Sequence, residues 1–378
     1  MNIKNIIFQK SYKNLQAFGL DISDSSIKIA QLKKSGNGFK LISHNRVSIP
    51  SGIIKEGEIE KDQELVDLIK KTIKEIKGKK LKSNYAICSL PEQHSFIKII
   101  QMPKMTMAEL ESAIKWEAEA NIPFPLNEVY MDWQIIKQED NIDHFDILIN
   151  AVPKKIIDKY LEVLRKADIE PIVFETESIA SIRSLIKNEF ANKPVLIIDL
   201  GFNRTSFNVF SDHSIRFTSS IPVSNNQMIQ EISKQMGISW DDAKVLKFKI
   251  GLNKEKDKGK IFNILLSILT KLAENIKDCV SFYEQHDDEH EENCPDKVSK
   301  IILCGGGANL FGIAEYLSLW LKLPVVLGNP WINIFCSNKK KSVNCQNESK
   351  FPELSYEESL SYSTVLGLAL RGINSKNI

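Results

Sequence analysis

Two segments of the chain share one pattern of apolar and polar positions. In each, an apolar run contains an aspartate at its end, small or polar residues follow, and a second run alternates between apolar and polar positions. The first copy covers residues 18–28 and contains Asp21, and the second covers residues 195–209 and contains Asp199. Since alternation is typical of a half-buried strand and small polar residues favour turns, each copy predicts a β-hairpin.

The repeated hairpin predicts a site for phosphate groups. The N–H groups and hydroxyls of a turn donate hydrogen bonds to phosphate, and a carboxylate can hold a hydrated Mg²⁺ ion. Two such turns facing one another would hold a nucleoside triphosphate from both sides. We therefore expect a nucleotide clamp of two lobes, with Asp21 and Asp199 near the metal.

Strand-like and helix-like periods alternate along the chain, which favours an α/β architecture. Residues 86–165 differ, because three alternating strands and two helices there predict a small inserted α+β subdomain. We expect a first lobe core at 17–85, to which residues 166–190 and 354–378 return. The second lobe core is predicted at 191–225 and 295–353, with a helical subdomain at 226–294.

Local signals fix the first helix of the insert. Thr106 and Glu109 form a capping-box pattern, which predicts a helix start. The run Ile122-Pro123-Phe124-Pro125 predicts its end, since proline cannot donate a backbone hydrogen bond and disfavours helix in the residue before it. We expect Trp116, Ile122, Phe124 and Leu126 to be exposed, because they lie off or beyond the apolar stripe of the helix.

A second turn is rich in glycine. An apolar strand ending at Cys304 leads into Gly305, Gly306 and Gly307, and Asn309 is placed to cap the helix that follows. The absence of side chains on the three glycines would let a ligand approach the backbone closely.

Residues 357–371 are expected to form one last helix.

Composition narrows the functional classes. The chain has 378 residues, with 50 Lys and Arg against 48 Asp and Glu, so its net charge of +2 gives no reason to expect a nucleic-acid partner. Six cysteines without a C-x-x-C pair favour buried thiols in a reducing compartment. No apolar run approaches the roughly 18 residues of a membrane-spanning helix, so we expect a soluble, cytoplasmic protein.

Two segments leave alternatives open. Residues 1–16 read as a short amphipathic helix that either docks on the protein or touches a membrane surface. The polar run 285–292 contains His286 and His290 among acids and is better interpreted as a hydrated loop than as a metal site. The histidines of the chain form no pattern typical of catalysis.

The order of hairpin, hairpin, amphipathic helices and strand-Gly-Gly-Gly-helix resembles the actin-like ATPase superfold. Within it, the chain resembles the PilM family of type IV pilus assembly proteins from about residue 18 to residue 372. The segments that carry this narrower resemblance are Leu90-Pro91-Glu92, Ile114-Lys115-Trp116-Glu117-Ala118-Glu119, Ile122-Pro123-Phe124-Pro125-Leu126 and Leu366-Gly367-Leu368-Ala369-Leu370-Arg371. The resemblance implies two α/β lobes, each with a hairpin-containing core, and a 1C-like insert.

The resemblance also implies a nucleotide site. ATP with Mg would be contacted at the following positions of this chain: Asp21, Ser23, Ser25, Ser26, Lys28, Asp199, Gly201, Asn203, Thr205, Lys247, Gly305, Gly306 and Gly307. Glu177 and Asp199 would be the candidates for activating water, and Glu175 and Glu177 would lie on the helix connecting the lobes. The chain departs from the family at Ser23, usually Gly, and at Lys244, usually Glu, so we expect weak nucleotide binding and little or no hydrolysis.

The partner implied by the resemblance is the short cytoplasmic tail of PilN, an inner-membrane pilus protein. The tail would bind the insert through Trp116, Ile122, Phe124 and Leu126, and contacts with pilus motor components and self-association are further expectations. Three alternatives stay open: a filament-forming FtsA-like protein, the cytoplasmic domain of a type II secretion platform protein, and a sugar or acetate kinase of the same superfold. The kinase is disfavoured because no acceptor site with a catalytic Asp is visible.

Overall fold

The computed structural model describes residues 16–137, 143–286, 297–335 and 354–373. The predicted N-terminal helix, nearly all of the polar run 285–292 and the end of the predicted second lobe core at 336–353 lie outside these ranges. The described residues form two units. The first contains residues 16–181, 334–335 and 364–373, and the second contains residues 182–333 and 354–363, each apart from the gaps named above. This division is coarser than the predicted four parts and places residues 354–363 in the second unit.

A sheet of six strands forms the centre of the first unit, in the order β11-β7-β1-β2-β3-β6. Its strands are β1 Phe18–Ser23, β2 Ser26–Ser35, β3 Gly38–Ser48, β6 Lys77–Gly78, β7 Tyr85–Leu90 and β11 Glu170–Thr176; a separate small hairpin consists of β4 Ile54–Lys55 and β5 Glu58–Ile59. Strands β1 and β2 pair in antiparallel fashion, with Ser23 opposite Ser26. The first predicted hairpin is therefore confirmed.

Helices cover this sheet because each presents an apolar stripe to it. They are α1 Asp62–Lys74, α3 Lys154–Lys166, the start of α4 Glu177–Leu185 and α10 Ser363–Ile373; helix α2, Met107–Asn121, belongs to the insert. Leu65 and Ile69 of α1 and Ile157, Tyr160 and Leu164 of α3 are buried in one core with β1 and β2. Gly19 and Gly367 allow close packing, since a Cβ on either would overlap neighbouring backbone.

The inserted subdomain is a second, smaller sheet with one helix. Strands β8 Phe96–Pro103, β10 His144–Pro153 and β9 Val129–Lys137 pair in that order, and α2 Met107–Asn121 packs on them. All three predicted strands are confirmed. The separate sheet is narrower than the predicted insert at 86–165, because β7 joins the main sheet and α3 packs on the main core.

The capping signals of α2 act as predicted. Thr106 accepts a hydrogen bond from the backbone of Glu109, and the Glu109 carboxylate accepts one from the Thr106 N–H at 2.9 Å. The Thr106 hydroxyl, which donates to the Glu109 carboxylate at 2.7 Å, lowers the pKa of Glu109 most, and the Thr106 N–H lowers it further, since both hydrogen bonds stabilise the charged form. The helix ends at Asn121, directly before the Pro-Phe-Pro run, as predicted.

A sheet of five strands forms the centre of the second unit, in the order β14-β13-β12-β15-β16. Its strands are β12 Ala191–Leu200, β13 Thr205–Asp212, β14 Ser214–Ile221, β15 Lys300–Cys304 and β16 Val325–Leu327. Strands β12 and β13 are antiparallel with Leu200 opposite Thr205, so the second predicted hairpin is also confirmed. Cys304, like Cys88 of the first unit, is buried and free.

The second unit packs its helices around one apolar core. They are α5 Asn225–Met236, α6 Trp240–Lys249, α7 Lys260–His286, α8 Ile313–Leu321 and α9 Tyr356–Leu360. The longest helix, α7, packs one apolar stripe into this core, because Ile261, Leu265, Leu269, Leu272 and Ile276 are fully buried. None of the described helices is long and apolar enough to cross a membrane.

Two predictions about helix ends are wrong. Asn309 does not cap the next helix, because residues Gly306–Asn309 form a 3₁₀ turn and α8 begins only at Ile313, after Gly312 in the left-handed region. The Asn309 amide instead donates to the Glu357 carbonyl oxygen at 2.8 Å. The predicted last helix at 357–371 is two helices, since the chain turns at 361–362 between α9 and α10.

Candidate nucleotide site and partner surface

The first hairpin has a turn of two residues, Asp24 and Ser25. The turn is fixed from both sides, since the Ser25 carbonyl oxygen accepts from Ile49 N–H and the Asp24 carboxylate accepts from Gly57 N–H, both at 2.9 Å. Ser23 and Ser25 are half-buried, whereas Ser26 is buried. The predicted phosphate-binding hydroxyls are thus accessible at Ser23 and Ser25, and less so at Ser26.

Asp21 of this hairpin is held by partners inside the first unit. Its Oδ2 accepts from Lys28 Nζ at 2.7 Å, and its Oδ1 accepts from Ser89 Oγ at 2.9 Å. The Asp21 residue is only 2% exposed. Because both oxygens already accept hydrogen bonds, Asp21 fits magnesium only through water, and the predicted metal role stays a prediction.

The second hairpin has a longer turn, Gly201-Phe202-Asn203-Arg204. The start of α5 holds this turn, because Asn225 N–H donates to the Gly201 carbonyl oxygen at 3.1 Å and Asn226 N–H donates to that of Phe202 at 3.0 Å. Asn203 is exposed. Thr205 is fully buried and its hydroxyl donates to the Val223 carbonyl oxygen at 2.7 Å, so a contact of Thr205 with phosphate would have to use its remaining acceptor capacity.

The glycine turn lies directly against the aspartate of the second hairpin. A Cβ on Gly305, whose φ is +81°, would overlap Asp199 Oδ1, and a Cβ on Gly307 would lie 2.7 Å from Leu200 Cβ. Gly306 differs, because the nearest atom to its Cβ position is Asn225 Nδ2 at 4.0 Å. The turn therefore packs at its two outer glycines and is open at Gly306.

Asn225 is a site residue that the sequence analysis missed. It stands at the start of α5, between the turn of the second hairpin and Gly306. Its Oδ1 is buried and has no hydrogen-bond partner. A buried carbonyl oxygen without a donor is costly, which marks this position as one that a ligand donor or water can satisfy. An asparagine after a serine reads from sequence as part of an ordinary helix start.

Lys247 is the second unusual group of this region. It lies on the same face of α6 as Trp240 and Ala243, is 4% exposed, and forms no ion pair with any residue in the described part of the chain. Desolvation first, and then the positive charge of Lys244, lower the pKa of Lys247 to about 8. The Trp240 indole donates to Asn226 Oδ1 at 3.2 Å and its ring lies 6.3 Å from that of Phe202, which links α6 to the turn of the second hairpin.

The two predicted acids have different environments. Glu175 is in strand β11, not on a helix as predicted, and its buried carboxylate forms an ion pair with Arg371. Glu177 is the first residue of α4, where Glu92 Oε2 accepts from Ser178 N–H at 3.0 Å. Within the described ranges, no group of three or more His, Cys, Asp or Glu side chains is placed to hold a metal ion.

The predicted partner residues separate into two groups. Trp116 on α2 is 76% exposed and Phe124 is 41% exposed, whereas Ile122 is 6% exposed and Leu126 is half-buried. The expectation that Ile122 is exposed is therefore wrong. Ile122 follows the last residue of α2 in extended conformation and packs into the core of the insert with Leu110 and Ile114.

Similarity to solved structures shows the fold class of this chain. A solved PilM-PilN type IV pilus biogenesis complex matches with a TM-score of 0.77 and 23% identity over 95% of this chain and 99% of that chain. The ethanolamine utilization protein EutJ of Carboxydothermus hydrogenoformans matches with a TM-score of 0.53 and 13% identity over 98% and 93%. The chain has the actin-like ATPase fold.

The family follows from the sequence. Residues 19–373 match the family model described as type IV pilus assembly protein PilM, and the chain belongs to that family. The cell division protein FtsA of Buchnera aphidicola subsp. Acyrthosiphon pisum (strain APS) is 22% identical over 236 residues, or 57% of this chain and 52% of that protein. The chain thus spans about half the length of that curated relative.

Proposed function

We propose that the protein is a nucleotide-binding scaffold of the type IV pilus assembly platform. In this proposal it binds ATP and captures the N-terminal tail of a PilN-like inner-membrane protein, which holds it at the cytoplasmic face of the membrane. Membership of the PilM family supports the pilus role. The two binding activities are argued from different parts of the molecule and have separate tests.

One observation carries the nucleotide proposal. Gly306 is open, Asn225 Oδ1 beside it lacks a donor, and the carboxylate of Asp199 lies against Gly305. An exocyclic amino group or a hydroxyl of a nucleoside could donate to Asn225, and the side-chain-free turn permits the close approach that an adenosine needs. These groups suit a nucleotide better than an apolar ligand.

The remaining residues supply charge and orientation in this proposal. Lys247 offers a buried positive charge that a phosphate or an electron-rich base would stabilise. In the first hairpin, Lys28 donates to Asp21, so its main role is to hold that carboxylate in place. Magnesium would neutralise phosphate charge, and Glu177 and Asp199 stay candidates for activating water.

The nucleotide proposal is tested by thermal unfolding with and without MgATP. A ligand that binds only the native state raises the midpoint, and about 100 Kd of ATP contributes about 2.7 kcal/mol. Asp199→Ala and Asn225→Ala should each reduce the ATP-induced shift. Ser206→Ala, opposite Asp199 across the hairpin, is the matched control. An undiminished shift in both variants would contradict the proposed site.

The partner proposal rests on the exposed aromatic residues of the insert. Trp116 and Phe124 present large apolar surfaces, and Phe124 is fixed between two prolines, so an extended peptide could dock there with little loss of entropy. The solved PilM-PilN complex supports a PilN-like partner for this chain.

Fluorescence anisotropy with a labelled N-terminal peptide of a PilN-like protein tests the partner site. Phe124→Ala and Trp116→Ala should each weaken binding by about tenfold or more, as expected for aromatic hot-spot residues. Met107→Ala is the control, because Met107 is 54% exposed on the same helix. Unchanged affinity in both aromatic variants, with normal folding, would place the partner elsewhere.

A further inference from the structure

Helix α6 buries a lysine and exposes apolar side chains, and the nucleotide proposal does not explain the exposed apolar side chains. It buries Lys247 but exposes Val245 by 47% and Phe248 by 49%. Phe311, exposed by 54%, adjoins the end of this helix, since its carbonyl oxygen accepts from Leu252 N–H at 2.9 Å. Val245, Phe248 and Phe311 together are called the α6 apolar surface.

Lysines are concentrated in the chain segment that forms the second half of α6 and the turn after it. The segment 244–260 contains seven lysines, two acids and no arginine, although the whole chain has a net charge of only +2. Six of these lysines are exposed: Lys244, Lys249, Lys254, Lys256, Lys258 and Lys260. None of the six forms an ion pair with a described residue, and Lys244 and Lys254 lie over the rings of Trp240 and Phe262. Their charge is available to an external partner.

The combination of apolar and cationic groups favours an anionic lipid surface. Lysine stems can lie along apolar surface while their ammonium groups reach lipid phosphates, and exposed Phe and Val side chains can enter the interface beneath the headgroups. A nucleic-acid or acidic-peptide partner would be better recognised by arginine forks, which are absent from the segment.

We propose that the α6 apolar surface and the lysines of segment 244–260 dock this protein on an anionic membrane leaflet. The contact lies in the second unit, whereas the proposed partner residues Trp116 and Phe124 lie in the first. It is therefore a second, independent attachment. Two weak attachments on one molecule reinforce one another by raising the effective concentration of each at the membrane.

Vesicle flotation of the whole chain tests the proposal without any partner protein. Vesicles of phosphatidylcholine alone are compared with vesicles that also contain phosphatidylglycerol. Binding should require the anionic lipid and fall as salt rises, since ions screen the lysines. The triple variant Lys249→Glu, Lys256→Glu, Lys258→Glu should bind at least about 100-fold more weakly, because each lysine near an anionic surface contributes about fivefold.

The apolar contribution has its own variants. Phe248→Ser and Phe311→Ser should each weaken vesicle binding by about tenfold or more, as expected for the loss of a buried phenyl ring. Leu319→Ser is the control, since Leu319 is 82% exposed elsewhere in the second unit. The triple variant Lys79→Glu, Lys80→Glu, Lys82→Glu is the charge control on an exposed part of the first unit.

Three results would overturn the proposal. Equal flotation with neutral and anionic vesicles would exclude a charge-dependent contact. Undiminished binding of both Phe variants, with normal circular dichroism, would show that the apolar side chains take no part. Failure to float while the chain binds double-stranded DNA or a polyglutamate peptide would identify a different class of partner for this surface.

Discussion

Both units bury a lysine among the residues predicted to bind nucleotide, but the two lysines are in opposite situations. Lys28 of the first hairpin is 9% exposed and is paired with Asp21 at 2.7 Å. Lys247 of the second unit is 4% exposed and has no ion pair with a described residue. A paired buried charge is part of the fold, whereas an uncompensated one is costly and points to a ligand.

The two hairpins also differ in whether their aspartate faces a lysine. In the first, the aspartate stands opposite Lys28 across the hairpin, and in the second Asp199 stands opposite Ser206. The first turn has two residues and is tied to its own unit by Asp24 and Ser25. The second has four residues and lies beside an open glycine turn. One sequence pattern thus produces a closed arrangement and an open one.

The largest expected effect is on the paired lysine. Lys28→Ala leaves the Asp21 carboxylate buried beside only Ser89, and it should lower the free energy of unfolding by about 3–5 kcal/mol in urea titration. Lys33→Ala, on the exposed end of the same strand, should change stability by less than about 0.5 kcal/mol. A small loss in Lys28→Ala would mean that the pair is not structural.

Replacing the unpaired lysine, Lys247, should raise the free energy of unfolding instead of lowering it. Burial lowers the pKa of Lys247 from 10.5 to about 8, so between these values the unfolded chain binds more protons than the folded one. The free energy of unfolding therefore rises by about 3 kcal/mol as pH increases from about 8 to 10.5, because the cost of burying the charged Lys247 is removed when it loses its proton. Lys247→Met should be more stable than wild type at pH 7, and the difference should vanish at high pH.

This prediction is measured as a difference between two proteins, because tyrosine and cysteine also titrate at high pH. Denaturant titrations of wild type and Lys247→Met from pH 7 to pH 11 give that difference. A constant difference over the whole range would show that Lys247 is not buried as a charge.

A smaller difference in stability is expected between alanine substitutions at Gly305 and at Gly306. Gly305→Ala should cost about 1–3 kcal/mol of stability, since its Cβ would overlap Asp199 Oδ1 at a positive φ. Gly306→Ala meets no atom closer than 4.0 Å and should fold like wild type while weakening ATP binding. Equal stability losses in the two variants would contradict the open position at Gly306.

The sequence predicts the parts of the fold that depend on local patterns. Both hairpins follow from alternation, and α2 begins at the Thr106 cap and ends before Pro123 because these signals act within a few residues. The apolar run that ends at Cys304 also places the glycine turn directly after a strand, as found. These are contacts between neighbours in sequence.

The wrong or missed sequence predictions concern residues whose burial or hydrogen bonding depends on contacts with residues distant in sequence. Ile122 is buried because the insert sheet lies under the chain after α2, and Asn309 is drawn away from α8 by the carbonyl group of Glu357. Asn225 was missed because only the fold places it beside Gly306, far along the chain, and leaves its Oδ1 without a hydrogen-bond partner. No local pattern carries that information, since each case joins residues from separate elements.

Hydrogen–deuterium exchange with and without saturating MgATP tests the proposed nucleotide site turn by turn, because it reports on each turn separately. We expect slower exchange with MgATP at residues 201–204 and 305–307 and along α6. Exchange in the core of the insert sheet should stay unchanged. If ATP protects neither the turn of the second hairpin nor the glycine turn, the proposed nucleotide site is contradicted.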